Sequence, residues 1–238
     1  MHVTGVDACR GGWVAVSLEA PGPAPLPRRP DWLVSVRVHQ SLAQVLDEGP
    51  DREVVGIDMP LGLLDSGWRT ADRVARGLLG PRRSSVFAIP PRAVWAETSY
   101  PDASTRCREL TGQGFSIQAW GLRTKLLEAN TYRETCGHPM YEVHPELAFG
   151  AMAGAPLAES KHTASGRELR RDLLTQAGIT LPPARSGAGP GSRAAPVTDT
   201  LDAAAVAWSA WRIAAGQATV IPDQPQHDSA GREIAIRY

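Results

Sequence analysis

Three apolar segments joined by turns open the chain, and their order limits the possible folds more than any other feature. HVTGVDACRGGWVAVSLEA reads as an apolar strand ending at Asp7, a short glycine-containing turn, and a second strand from Trp13 to about Leu18. This is a hairpin. A Pro-rich turn, APGPAPLPRRP, leads to DWLVSVRVH, where Trp32, Val34, Val36 and Val38 alternate with other residues as a third strand would. Consecutive strands joined this way predict an antiparallel meander. SLAQVLDE at 41–48 then reads as a helix capped by Ser41, and it leads into EVVGIDMP, a short apolar strand ending at Asp58. The order is β-β-β-α-β, which makes this an α/β chain.

From Trp68 to about Arg133 the pattern is helical with Pro-containing loops and no clear strand, which predicts a helical insertion over about 66–136. PMYEVHPELAF reads as a fifth strand running into a helix that starts near Pro145, a residue favoured in a helical first turn. SGRELRRDLLTQAG predicts a helix ending at Gly178. PPARSGAGPGSRAAP, rich in Gly, Pro, Ala and Ser, predicts a flexible loop over about 182–197, before a helical run beginning VTDTLDAAAVAW. The closing REIAIRY reads as an edge strand. The 238 residues, 42% apolar and 21% charged, are enough to bury the core of a single globular domain spanning 1–238.

Aspartate is disfavoured in strands, so Asp7 and Asp58 at the ends of two apolar strands need a reason. A turn is one, because aspartate readily bonds nearby backbone there. A site is the other. If the fourth strand lies parallel beside the first, both carboxylates emerge at one sheet edge, where open α/β sheets place their sites. Asp199 and Asp202 add a second pair, three apart at the mouth of VTDTLDAAAVAW. Helix N-termini favour aspartate as a cap and in the first turn. Yet Leu201, Ala205 and Trp208 share one face while Ala203, Val206, Ala210 and Ile213 fill others, so the helix is apolar nearly all round and buried. Carboxylates at such an end need partners. Packed on the sheet, this helix would bring all four aspartates to one pocket, and their repulsion would call for divalent cations; hard oxygen ligands suit magnesium or manganese. Capping and metal ligation both remain open from these residues alone.

The strand order, with acids after strands one and four and a DxxDA helix start, resembles the ribonuclease H-like fold, especially its Holliday-junction-resolvase branch. More closely, GVDACRGGWV, GIDMPLGL, RRSSVFAIPPR, YEVHPELAF, SKHTASGR, DTLDAAAVAW and the closing AIRY together resemble the family named domain of unknown function 429, described as predicted nucleases of that fold. The resemblance spans almost the whole chain. It implies a mixed five-stranded sheet, with strands 1–3 antiparallel and strands 1-4-5 parallel, flanked by helices and carrying the helical insertion between strands 4 and 5. It also implies a metal-dependent nuclease that hydrolyses phosphodiester bonds of DNA or RNA, with Asp7, Asp58, Asp199 and Asp202 as catalytic residues and metal ligands. Two Mg2+ or Mn2+ ions would be held with substrate bound, one lowering the pKa of a water and the other steadying the leaving oxygen. Many resolvase-like members carry glutamate where this chain has Asp58, so the reach to a metal is one methylene shorter here. Glu142 and Glu146 lie outside the usual positions; each reads as an additional ligand, a group supporting one, or a surface residue.

The zero formal net charge excludes binding to nucleic acid by overall charge and leaves room for local basic patches. RTADRVARGLLGPRRSSVFAIPPR, from Arg69 to Arg92, holds six arginines against one aspartate. Arginine forks suit phosphate oxygens, so Arg82, Arg83, Ser84 and Arg92 are candidates for binding nucleic acid or another phosphate-bearing ligand, with a solvated helix face as the competing reading. Lys161, His162 and Arg167 in SKHTASGR form a second such cluster. Trp68, Trp95 and Trp120 offer stacking surfaces for bases, or packing; His144 offers a proton shuttle, or packing. Two other functions compete with the nuclease. A non-catalytic binding module would retain the acids for structure. An actin-like phosphotransferase would use DACRGGW as a phosphate loop, but GIDMPLGL supplies no second glycine-rich loop. Cys9, Cys107 and Cys136 fall in no CxxC spacing, against a disulfide framework or structural zinc, and CGH at 136–138 is a weak ligand signal. No apolar run is long enough to span a bilayer and MHVTGVDACRGGW has no signal-peptide pattern, so no membrane and a cytoplasmic location are expected.

Overall fold

The computed structural model describes residues 1–20, 32–47, 53–135, 139–183 and 195–238. The Pro-rich turn at 21–31, Glu48, Cys136 to His138 and residues 184–194 of the expected loop lie outside the described residues. Strands β1 (His2–Cys9) and β2 (Gly12–Glu19) form the hairpin, and their ladder runs to the Cys9–Gly12 pair, two residues beyond Asp7. Gly11 makes the turn with φ +92°, a conformation L side chains rarely adopt. Strand β3 (Leu33–His39) pairs antiparallel with β2, and its burial alternates: Val34 and Val36 are half-buried, Leu33, Ser35 and Arg37 exposed. That is an edge strand. Helix α1 (Leu42–Asp47) starts at Ser41, whose Oγ accepts from the Gln44 amide at 3.3 Å, and strand β4 (Val54–Asp58) returns parallel to β1.

Four helices follow, α2 (Thr70–Leu79), α3 (Tyr100–Thr111), α4 (Ile117–Trp120) and α5 (Arg123–Thr135), with 3-10 turns at Gly80–Ser85 and Arg92–Ala96. Strand β5 (Met140–Glu142) then pairs parallel with β4. The sheet order is β3-β2-β1-β4-β5, antiparallel across β3-β2-β1 and parallel across β1-β4-β5. Helices α6 (Pro145–Ala153), α7 (Ala164–Gln176) and α8 (Val197–Ala214) complete the helical elements. The closing REIAIRY behaves differently from expectation. Its strand, β7 (Glu233–Arg237), pairs with β6 (Val220–His227) in a separate two-stranded sheet, and Arg237 forms an isolated parallel bridge with Val143. The prolines of VIPDQPQH, which remove ladder donors, hid β6 in the sequence.

The chain divides into two compact units: Met1–Met59, Cys136–Thr219 and Arg237–Tyr238 form the first, Pro60–Thr135 and Val220–Ile236 the second. In the first, alternation along the strands puts Val3, Val54, Val14, Val16 and Leu18 on one sheet face, where they join α8 and the buried Phe149, Leu173 and Leu174 of α6 and α7. Helix α8 is buried continuously from Leu201 to Trp211, as its all-round apolar pattern requires. In the second unit, Trp95 stacks on Trp120 with ring centroids 6.1 Å apart and meets Phe115 edge-on. Asn130 staples β4's exit there: its Oδ1 accepts from the Gly62 amide at 2.7 Å and its Nδ2 donates to the Pro60 carbonyl at 2.9 Å. Among the described residues, no helix is long and apolar enough to cross a membrane.

Candidate metal centre

The register of two parallel strands builds the first half of the site. Asp7 of β1 pairs with Asp58 of β4, and Gly5 pairs with Gly56 two residues earlier. Side chains two apart share a sheet face, so both aspartates stand on the face covered by α8. The glycines bring α8 down onto that face. A Cβ on Gly5 would lie 2.1 Å from the Ala207 nitrogen and 2.2 Å from the Ala203 oxygen, and one on Gly56 would lie 2.9 Å from the Val206 side chain. The helix backbone therefore rests directly on the strand backbone. Asp202 precedes Ala203 on α8 and is 1% exposed; Asp7 is 8% exposed and Asp58 half-buried.

These carboxylates lie in one electrostatic field. Burial holds Asp7 well above the ordinary carboxylate range, and Asp58 and Asp202 add to the shift, with Asp199 a smaller contributor. Burial pushes Asp58 up to about 6; Lys161 opposes this and Glu146 reinforces it. Burial likewise raises Asp202 to about 6 against the pull of Lys161. Lys161 is the counter-charge. Its Nζ donates to Asp202 Oδ2 at 2.5 Å, and although burial disfavours the ammonium, Asp202, Asp58 and Asp7 together hold its pKa above the ordinary value. With all three carboxylates ionised, the single ammonium leaves the cluster two positive charges short of neutrality.

The donor set fits a hard divalent cation. Asp202 Oδ1 is buried with no hydrogen-bond partner among the described residues. Buried acceptors without donors are costly unless a cation satisfies them. Among the described residues, no group of three or more acidic, histidine or cysteine side chains is arranged to hold a metal ion by itself.

The raised pKa values give a signed prediction for the metal-free protein. Below about pH 4 the three groups are protonated in both folded and unfolded chains and contribute no difference. Between there and about 6 the unfolded chain releases protons that the folded one retains, so folding loses stability as pH rises, and the cost is full for Asp58 and Asp202 above about 6. Lys161, raised instead, contributes stability over this whole window and loses it only in alkali. Thermal unfolding of wild type and Asp202→Asn from pH 4 to 8 in chelator checks this: the variant should gain on wild type as pH rises, and a constant gap would contradict it.

The remaining candidates divide. Asp199 is half-exposed in the first turn of α8, where Thr198 Oγ1 donates to its Oδ1 at 3.0 Å, and it faces the cluster from the rim. Neither helix aspartate caps α8. The cap position is Pro196, without a side-chain bond. Glu146 is 5% exposed and engages the fully buried Arg170, whose Nη2 donates to Oε1 at 2.7 Å and Oε2 at 2.8 Å. Glu142 pairs with Ile57, which alternates to the face opposite Asp58, and it is 6% exposed. Burial removes the surface reading for both glutamates. Glu146→Gln, by stranding the Arg170 charge, is expected to cost about 3–5 kcal/mol in urea unfolding.

His144 is half-buried at the cap position of α6 without a side-chain cap bond. His162 is exposed, and Arg167 Nη1 donates to the His162 carbonyl at 2.8 Å. Lys161, grouped with them in sequence, belongs to the acid cluster; lysine next to histidine and arginine gave no hint of that. Arg82, Arg83 and Ser84 occupy the 3-10 turn of the second unit, with Arg83 and Ser84 exposed, while Arg92 lies 3.6 Å from Glu134. Trp95 and Trp120 are used in packing; Trp68 is half-buried.

A family model described as "Protein of unknown function (DUF429)" matches residues 5–227. No curated protein matches the chain. Among solved structures, RuvC from Thermus thermophilus aligns over 91% of this chain and 98% of its own, at 16% identity and a TM-score of 0.36.

Proposed function

This chain belongs to the DUF429 family, and we propose that it is a metal-dependent phosphodiesterase acting on nucleic acid, with Asp7, Asp58 and Asp202 holding the cation and Asp199 at its rim. One observation carries the reading: Asp7 and Asp58 are paired in register on parallel strands while Asp202, with a buried oxygen that has no donor among the described residues, faces them from α8. Magnesium and manganese suit such all-oxygen ligands. Bound there, a divalent cation supplies a Lewis acid for phosphoryl oxygens and lowers the pKa of water. One such ion balances the two missing charges. The substrate's own phosphate would bring the charge that admits a second.

The chain's own residues set the rest. Burial of Asp7 and Asp202 keeps the carboxylates from being screened by water, so their hold on a cation is strong, and Gly5 with Gly56 fixes the spacing between helix and strands. Arg82, Arg83, Ser84 and Arg92, with His162 and Arg167, are the candidates for contacting phosphates.

A panel of single-stranded, duplex and four-way-junction DNA and single-stranded and duplex RNA, incubated with Mg2+ or Mn2+, tests the activity. Hydrolysis that requires metal and disappears in Asp58→Asn supports it. Nucleic-acid binding without hydrolysis would favour the second reading, a binding module, whose supporting observation is that Lys161 already neutralises part of the cluster from within.

A further inference from the structure

We propose that Lys161 is an internal stand-in for the cation: its ammonium engages Asp202 Oδ2, leaves when a divalent metal binds, and is thereby freed to meet the substrate's phosphate. This rests on the reading of the acid cluster as a metal centre. Three features carry it. The contact is to the very carboxylate whose other oxygen, Oδ1, has no partner among the described residues, so Asp202 has one oxygen engaged and one open there. The Lys161 side chain is 34% exposed while that of Asp202 is 1% exposed, so the lysine has a path out and the aspartate does not. Lys161 lies outside the preceding and following helices, α6 and α7, and is not fixed by a helical backbone.

The residue type matters as well. An ammonium is a compact point charge on a flexible stem and holds one oxygen; a guanidinium would grip both oxygens of Asp202 in a fixed fork and resist exchange. The exchange also has a sign. While Lys161 stays, it competes for Asp202 and repels an incoming cation; once displaced, it remains a positive charge beside a site that must take up an anionic substrate. Metal loading and phosphate recognition are then coupled through one side chain.

The test measures Mn2+ affinity by calorimetry for wild type, Lys161→Met and Lys161→Arg, with circular dichroism to confirm folding. The expected result is binding about tenfold or more tighter in Lys161→Met and weaker in Lys161→Arg. Equal or weaker binding in Lys161→Met would overturn the proposal and assign Lys161 to holding Asp202 in place, leaving the metal centre standing. Absence of binding in wild type and both variants would overturn the metal centre itself, and this inference with it.

A second measurement needs no variant. The chain has two lysines, Lys125 and Lys161, so amine acylation followed by peptide mass spectrometry reports on Lys161 with Lys125 as internal control. Mn2+ should accelerate acylation of Lys161 severalfold and leave Lys125, paired with Glu128 at 3.5 Å in the second unit, unchanged. No change at Lys161 on saturation with Mn2+ would show that the ammonium stays where it is.

Discussion

Gly5→Ala is expected to destabilise the protein by about 3 kcal/mol or more. The added carbon would sit 2.1 and 2.2 Å from two backbone atoms of α8, where ordinary contact needs more than 3.4 Å. No rotamer relieves such a clash. The helix must lift from the sheet by an ångström or more, which also draws Asp202 away from Asp7 and Asp58. The predicted fall in Tm is roughly 6–12 °C for a chain of this length, with metal affinity falling alongside it. Gly77→Ala is the control: in α2 nothing lies within 4 Å of the new carbon, and alanine there should stabilise by about 0.5–1 kcal/mol. Equal effects of the two substitutions would refute the close-packing argument.

The second large effect is at Asp7. Asp7→Asn removes one charge from a cluster already short of cations, so the metal-free protein should become more stable at neutral pH even as activity falls by at least about a hundredfold. These opposite signs separate a site residue from a structural one. A carboxylate retained for structure would lose stability on amidation; one retained for a cation gains it. Thermal unfolding in chelator reads the first quantity and hydrolysis of a cleavable substrate the second.

Much of this arrangement was legible in the sequence because it depends on short-range patterns. The two apolar strands ending in Asp7 and Asp58 imply their own pairing once a helix separates them, and the all-round apolar run after Asp202 implies a buried helix. What was not legible depends on tertiary contact. Gly5 and Gly56 look like ordinary small strand residues until the helix backbone is seen resting on them. In SKHTASGRELRR, Lys161 reads as part of a phosphate-binding cluster with His162 and Arg167, and nothing marks Arg170 as the partner of a buried acid. Their burial beside Asp202 and Glu146 follows from how α7 and the segment before it fold back, which no local periodicity encodes. Glu142 and Glu146, four apart, are separated by the strand-to-helix transition: Glu142 follows the sheet's alternation to the far face, and Glu146 turns inward to Arg170.

The pH argument and the metal argument share a cause. Protons and divalent cations are alternative ways of neutralising the same three buried carboxylates, so they must compete. Metal affinity is therefore expected to rise as pH passes about 6, where Asp58 and Asp202 lose their protons.

Calorimetric titration of Mn2+ into wild type, Asp7→Asn and Asp202→Asn at neutral pH tests the central claim most directly. Saturable binding in wild type that is lost in both variants would join residues from β1 and α8, nearly 200 positions apart in sequence, into one metal centre. Binding that is absent from wild type, or equal in all three proteins, would contradict that centre and return the aspartates to structural roles.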